Sequence, residues 1–298
     1  MKLALKIDVS TVLGVKKGVP ALMTLLRQYE ANASFMFSLG PARHKNFLAR
    51  ALLPTPDLSR RSALTMQAVQ AAGFDVALQC WDNQRWQAQA ATAAPVWIES
   101  TMRQGHAEYE KIMGRPSAGV GAAGWQMNAH ALRMTQRLGY QWASDCRGSH
   151  PFVPVWHAEL VLCPQLPTTL PTLDELIGTE DLTVDNVHQR LNRLTAIQIK
   201  NHVFQLNAER EGLALLEVMP RLLEGWLDQG YELVSLGQLR ETLDIKKLPR
   251  HEVIIDTMQN TSSTHERPPI EKSDKSVAKA GSMLMQGEEF LLPWKETA

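Results

Sequence analysis

Short apolar runs alternate with longer stretches whose apolar residues recur at helical spacing, from the first residues to about position 243. Residues 3–7, 33–37, 75–78, 119–123, 141–144, 203–206 and 232–235 are brief and apolar and read as buried strands. Residues 18–31, 62–72, 96–113, 129–138, 184–194, 212–229 and 236–243 carry the helical spacing. Pro20 stands near the start of the first of these, where proline is tolerated. Ser62 and Asn128 are the expected N-caps of the second and fourth. Residues 150–179 are rich in proline and lack a period, and they read as a long excursion around a short strand at 160–163. Strand and helix thus alternate some seven times, which implies a parallel sheet. Periodicity leaves open whether the sheet is doubly wound or closed into a barrel.

The pattern stops near Leu248. Residues 256–280 are polar, include the adjacent Pro268 and Pro269, and cannot bury a core. The chain then ends on two apolar clusters, Met283-Leu284-Met285 and Phe290-Leu291-Leu292-Pro293-Trp294. The expected organisation is one domain over 1–247 and a flexible tail over 248–298. Residues 283–295 are either a frayed end or a docking segment for a protein partner or for the domain itself.

Composition narrows the function classes. The 31 Lys+Arg balance the 31 Asp+Glu, so nothing favours nucleic acid. Cys80, Cys146 and Cys163 are too few and too scattered for a disulfide framework or a thiolate zinc site. The apolar start is interrupted by Lys6 and Asp8, too early for a signal peptide. No run approaches the roughly 18 apolar residues of a transmembrane segment. The expectation is a cytoplasmic protein, working in solution or at the inner face of the membrane.

In parallel α/β architectures the working residues gather at the carboxyl ends of strands. Asp8, Gln79, Ala123, Asp145 and Asn207 each fall at or just past such an end. Five segments could therefore share one mouth, although any single strand-end polar residue could equally be a helix cap.

The segments Lys6-Ile7-Asp8-Val9-Ser10-Thr11, Gln79-Cys80-Trp81-Asp82-Asn83-Gln84, Ala122-Ala123-Gly124-Trp125, Ser144-Asp145-Cys146-Arg147-Gly148 and Phe204-Gln205-Leu206-Asn207-Ala208-Glu209 carry more than position. In this order they resemble the strand-end motifs of the polysaccharide deacetylase (NodB-type) superfamily, and within it the deformylases of 4-deoxy-4-formamido-arabinose-phosphoundecaprenol. Gly18-Val19-Pro20, Ser34 to Pro41, Trp86-Gln87-Ala88, Leu170 to Gly178 and Glu211-Gly212 extend the likeness over most of the first 245 residues. It implies an α/β fold, a distorted (β/α) barrel of about seven parallel strands.

The resemblance also assigns roles. It places Asp8 as the catalytic base. Ser10, Gln79 and Asn83 stand where the family has its aspartate and two histidine metal ligands. Asn207 replaces the histidine that acts as general acid, and Gln126 an arginine that holds the base. Trp81, Asp82, Trp125, Asp145, Arg147 and Glu209 are the expected substrate-binding residues. The deformylases also carry a longer apolar insertion between the second and third strands, of which residues 47–53 are all that is left here.

A divalent metal in such a site polarises an amide carbonyl and acidifies bound water. Ser, Gln and Asn offer neutral oxygens, poor ligands for metals that favour imidazole and carboxylate. Asn207 has no proton to give near neutral pH. The expectation is therefore no metal cofactor and a catalytically inactive homologue that holds an amino-sugar or sugar-lipid ligand. One alternative is an active amide hydrolase rebuilt around Asp8, Asp82, Asp145 and Glu209. The other is a regulatory scaffold that acts through its tail. Cysteine nucleophiles are not expected, because none of the nine histidines falls in a strand-end motif, and His130 and His202 read as structural.

Overall fold

Alternation along the first strand, β1 (Lys2–Val9), sorts the rest of the chain into two layers. Leu3, Leu5, Ile7 and Val9 pack into the large cluster shared with the helices. Ala4 joins a second cluster with Met36, Ala77, Trp142, Leu166, Val203, Val234, Leu236 and Leu239. The period of two places Lys6 and Asp8 on that same inner face. The computed structural model describes residues 1–42, 56–156, 158–179, 181–255 and 283–285.

Seven parallel strands make the sheet. β2 (Ser34–Ser38), β3 (Asp75–Cys80), β4 (Gly119–Gly121) and β5 (Trp142–Ser144) run in sequence order from one edge of β1. β8 (His202–Asn207) lies on its other edge, and β9 (Glu232–Val234) pairs with Lys2–Ala4 at its start. The sheet curls into the distorted barrel that the motif resemblance implies, and the doubly wound alternative is set aside.

The excursion after β5 closes the curl. Backbone bonds join Ala143 N to Pro164 O at 2.9 Å, Leu166 N to Ala143 O at 2.7 Å and Thr168 N to Cys146 O at 3.0 Å. On the far side Thr169 N donates to Val203 O at 3.0 Å. Residues 164–169 thus span the gap between β5 and β8. Within the excursion the strands are β6 (Val153–Trp156) and β7 (Glu159–Leu160), not 160–163. The antiparallel pairing of Val155 with Leu160 and Trp156 with Glu159 places the turn earlier than the apolar run suggests.

The helices are α1 (Val19–Gln28), α2 (Leu58–Ala71), α3 (Asn83–Gln89), α4 (Pro95–Met113), α5 (Ala129–Arg137), α6 (Leu173–Leu176), α7 (Val187–Ile197), α8 (Val218–Asp228) and α9 (Leu236–Glu241). Asn128 caps α5 as expected, its side chain accepting from Ala131 N at 3.0 Å. Ser62 does not cap α2. That helix starts earlier, at Asp57, whose carboxylate accepts from Ser59 N at 3.0 Å, and Ser62 is buried within it. The helix expected over 212–229 is broken into a π-helical turn, Arg210–Ala214, and α8. A matching π-turn, Gly14–Gly18, leads into α1. The two turns meet at glycine: a Cβ on Gly18 would lie 1.8 Å from the Ala208 carbonyl oxygen. Only glycine lets the chain after β1 come this close to the chain after β8, and both carry site residues.

Part of the expected tail is built into the fold. β10 (Arg250–Ile255) pairs parallel with β6, and β11 (Met283–Met285) pairs antiparallel with β10. His251 and Val253 are buried, and His251 Nε2 lies 3.0 Å from His150 Nε2. Truncation after Pro249 is expected to cost roughly 3 kcal/mol from lost burial and strand pairing. For a chain of this size that is about 5 °C in Tm. An unchanged melting curve would show that β10 adds nothing to stability. Residues 47–53, 256–280 and 290–295 lie outside the described residues.

Candidate functional site

The carboxyl ends of β3, β1 and β8 converge. Asp8 sits beside Asn207 in the strand register, and Gln79 is reached through β2. Asp8 is 3% exposed and its Oδ1 has no hydrogen-bond partner. Burial raises its pKa to about 6; Lys6 opposes the rise, Glu209 adds to it, and a hydrogen bond from Gln79 opposes it.

The amides are organised as a chain. Gln87 Nε2 donates to Asn83 Oδ1 at 2.7 Å, and Asn83 Nδ2 donates to Gln79 Oε1 at 3.0 Å. Ser38 Oγ donates to the same Gln79 oxygen at 2.6 Å, and Gln79 lies near enough to Asp8 to favour its charged form. Asn83 and Gln87 are four apart on α3, so their side chains stack on one face, and Asn83 meets Gln79 at the end of β3. Ser10 stands apart from this row, its hydroxyl donating to Glu209 Oε1 at 3.0 Å.

This donor set does not fit a divalent metal. The Gln79 oxygen already accepts two hydrogen bonds and the Asn83 oxygen accepts one. Both are neutral, and Ser10 supplies only a hydroxyl. Among the described residues no cluster of three His, Cys, Asp or Glu is placed to hold an ion.

The other expected site residues divide. Asp145 is 1% exposed and held on both sides by one glutamine: Gln165 Nε2 donates to its carboxylate and Gln165 Oε1 accepts its backbone N–H, both at 3.0 Å. Burial raises its pKa to about 6 as well, with Gln165, Lys6 and the Ala122 N–H opposing. Asp82 caps α3, accepting from Arg85 N at 3.1 Å, and is buried. Arg147 pairs with Glu175 and lies over the Trp125 ring, 4.1 Å from its centroid. Trp125 is held by its indole N–H on Thr168 Oγ1 at 3.1 Å and, half-buried, remains a flat wall. Trp81 packs against Gly40, whose N–H donates to the Trp81 carbonyl at 2.7 Å. The Gln126 side chain bonds the Gly124 carbonyl at 3.3 Å, and no bond from it to Asp8 is present. Burial pushes the Cys80 thiol up to about 12 and the Cys146 thiol well above its ordinary value, so both are packing residues. His202 is pinned between Thr169 and Gln198, at 3.0 and 2.8 Å.

Three residues escaped the sequence reading. Lys6 is fully buried in the barrel, its Nζ donating to Ser144 O at 2.8 Å, with its charge acting on both Asp8 and Asp145. Its position two before Asp8 was the available signal. Glu211 is 1% exposed and accepts the Asn207 N–H at 2.6 Å, and burial raises its pKa to about 8. Gln87 had its four-residue spacing from Asn83 as a signal.

No family model matches the chain. The protein named "Probable 4-deoxy-4-formamido-L-arabinose-phosphoundecaprenol deformylase ArnD" of Shewanella sediminis (strain HAW-EB3) is 28% identical over 271 residues, 82% of this chain and 87% of that one. The protein of the same name in Wigglesworthia glossinidia brevipalpis is 24% identical over 268 residues, 81% and 93%. A crystal structure described as a polysaccharide deacetylase of Mycobacterium smegmatis superposes at a TM-score of 0.61 with 15% identity, over 90% of this chain and 95% of that one. Another, from Pseudomonas aeruginosa PAO1, gives 0.55 with 13% identity over 80% and 90%.

This is the polysaccharide deacetylase fold. The likeness read from the strand-end motifs is borne out: the chain is similar in sequence to proteins named as deformylases and in fold to polysaccharide deacetylases. No helix among the described residues is long and apolar enough to cross a membrane.

Proposed function

We propose that this chain is a catalytically inactive relative of the carbohydrate deformylases, working without a metal and acting by binding an amino-sugar-type ligand, free or lipid-linked. The observation that carries this reading is the hydrogen-bonded row Gln87–Asn83–Gln79, which stands beside Asp8, with Gln79 and Asn83 at the positions where the motif resemblance expects metal-binding histidines. A site that had lost its ligands by drift would leave polar ends unmatched in a buried place, at a cost of about 1–3 kcal/mol each. Here Gln79, Asn83 and Gln87 match one another's polar ends, while Asp8 Oδ1 and Gln126 Oε1 are buried without a partner.

The rebuilt-hydrolase reading gains less support. Of its four carboxylates, Asp82 is engaged in capping and Asp145 is clasped by Gln165. Asp8 and Glu209, which accepts from Ser10, remain at the mouth, with no histidine beside them among the described residues. The scaffold reading depends on residues 283–295, of which the pairing of β11 with β10 supports docking within the chain.

The test is joint. Purified protein is expected to retain no stoichiometric zinc, cobalt, manganese or iron after dialysis, and to release no formate from a 4-deoxy-4-formamido-L-arabinose lipid. Retained metal, or turnover that disappears in Asp8→Asn, would overturn the inactive reading.

A further inference from the structure

We propose that His150 and His251 form a proton-operated latch that holds the strand β10 on the domain and releases it on mild acidification. This goes beyond the binding reading above and does not depend on it.

The latch joins distant parts of the chain. His150 stands in the loop after β5, three residues past Arg147, and His251 is the second residue of β10. Their Nε2 atoms are 3.0 Å apart. The ring centroids are 5.1 Å apart, so most of that separation is the nitrogen–nitrogen contact itself and the rings meet end to end. That is the approach of a hydrogen bond. Two ligands of one tetrahedral metal ion would converge at an angle on a third point. On the far side of His150, Nδ1 lies 2.8 Å from Ser149 Oγ. On the far side of His251, Nδ1 is buried without a partner.

Such a bond works with one hydrogen between the facing nitrogens and fails with two. A neutral imidazole has one donor and one acceptor nitrogen, whereas an imidazolium has two donors. The first proton taken up leaves the bond in place but puts a charge where nothing balances it. Among the described residues no carboxylate bonds either ring, and Lys200 acts on His150 as a like charge. The Phe152 ring lies against His251, with centroids 5.7 Å apart. β6 and β11 bring no titratable side chain, and Arg250 and Glu252 alternate to the exposed face of β10. In the loop before His150, Asp145 is clasped by Gln165 and Arg147 pairs with Glu175. Before β10, Lys247 pairs with Asp244 in solvent. The second proton places a hydrogen on each nitrogen of a 3.0 Å contact, and the two N–H groups repel.

The open strand avoids both costs. Burial holds His150 and His251 below the ordinary value of 6.5, with Lys200 adding to this for the first and His150 for the second. A group whose folded pKa is lowered contributes stability that is present above its unfolded value and lost as pH falls. Acid therefore favours release. Little else holds β10: of its described side chains only His251 and Val253 are buried, and residues 250–252 pair with 153–155 of β6. Opening frees the β6 edge, and β11, which pairs with β10, goes with it.

The experiment follows hydrogen–deuterium exchange of the full chain by mass spectrometry at pH 7.5 and 5, with chelator present. Rates are corrected for the intrinsic pH dependence of exchange, and β1 serves as the internal reference. Protection of residues 250–255 relative to β1 is expected to fall at least about fivefold at the lower pH. In His251→Phe, which keeps a ring against Phe152 and cannot titrate, the fall is expected to vanish. His150→Gln keeps a polar partner for His251 and removes one of the two protons, and is expected to halve the response or better. Unchanged relative protection in the parent would overturn the proposal, as would a fall shared equally by β1, which is global acid unfolding. A full response surviving in either substituted protein would place the titrating group elsewhere and overturn it too. If both substitutions unprotect β10 already at pH 7.5, the contact holds the strand, and the response of the parent alone decides whether protons operate it.

Discussion

Glu211→Gln is expected to make the protein nearly indifferent to alkaline pH. The Glu211 carboxyl is 1% exposed and accepts the Asn207 N–H, and burial raises its pKa from 4.5 to about 8. A group whose folded pKa lies above its unfolded value stabilises the fold while protonated, and that stability is lost as pH rises through the folded value. Between pH 6.5 and 8.5 the unfolded chain has already released this proton and the folded chain releases it only at the end. The loss over that window is about 2 kcal/mol, roughly 3 °C in Tm for a chain of this size.

Other groups shift outside this window. Asp8 and Asp145, raised to about 6, lose their contribution between about 4 and 6. The lowered His150, His188, His202 and His251 act in the opposite sense and below their ordinary value of 6.5. Glutamine keeps the acceptor for Asn207 and removes the proton. Melting curves of the parent and Glu211→Gln at pH 6.5 and 8.5 decide it. Equal slopes would mean that Glu211 is solvated and that the turn after β8 is looser than described.

How much of this was legible depends on which force fixes each part. The seven strands follow from short apolar runs, which the sequence carries directly. So does the convergence of Asp8, Gln79 and Asn207, because parallel topology places strand ends together. The closing segment 164–169 was not legible. It is held by backbone bonds to β5 and β8, and backbone groups leave no residue pattern. The same reason hid β10, whose register is set by β6 and not by its own composition. Asp82 and Asp145 were expected to face a ligand because the motif resemblance assigns them to substrate binding. One caps the helix that starts immediately after it, which strand-end placement always allows. The other is held by Gln165, from a stretch without a period to read. The amide row was half legible: the replacements at 79 and 83 are plain, but Gln87 gains meaning only when α3 begins at Asn83.

The second large effect concerns restoration of a metal site. In the quadruple variant Ser10→Asp, Gln79→His, Asn83→His and Asn207→His, zinc is expected to bind at least about 100-fold more tightly than to the parent, since one carboxylate and two imidazoles are a common zinc donor set. The geometry favours it, because the Gln79 and Asn83 side chains already meet at 3.0 Å. Imidazoles at those positions would bring their nitrogens to one point. The backbone of residue 207 is fixed independently through Glu211, so its new side chain starts from the same turn. The cost falls on Ser10→Asp, which replaces a hydrogen bond to Glu209 with a second carboxylate. The metal-free variant should therefore melt below the parent, and zinc at 100 times its dissociation constant should return about 2.7 kcal/mol. Calorimetric titration gives the affinity, and melting with and without zinc gives the linked stabilisation. Metal affinity should return before turnover, since Gln126 bonds the Gly124 carbonyl and does not orient Asp8. Zinc binding no better than that of the parent would mean that the ends of β1, β3 and β8 no longer converge on one point. The amide row would then be a local packing device, and the inactive-enzyme reading would lose its structural basis.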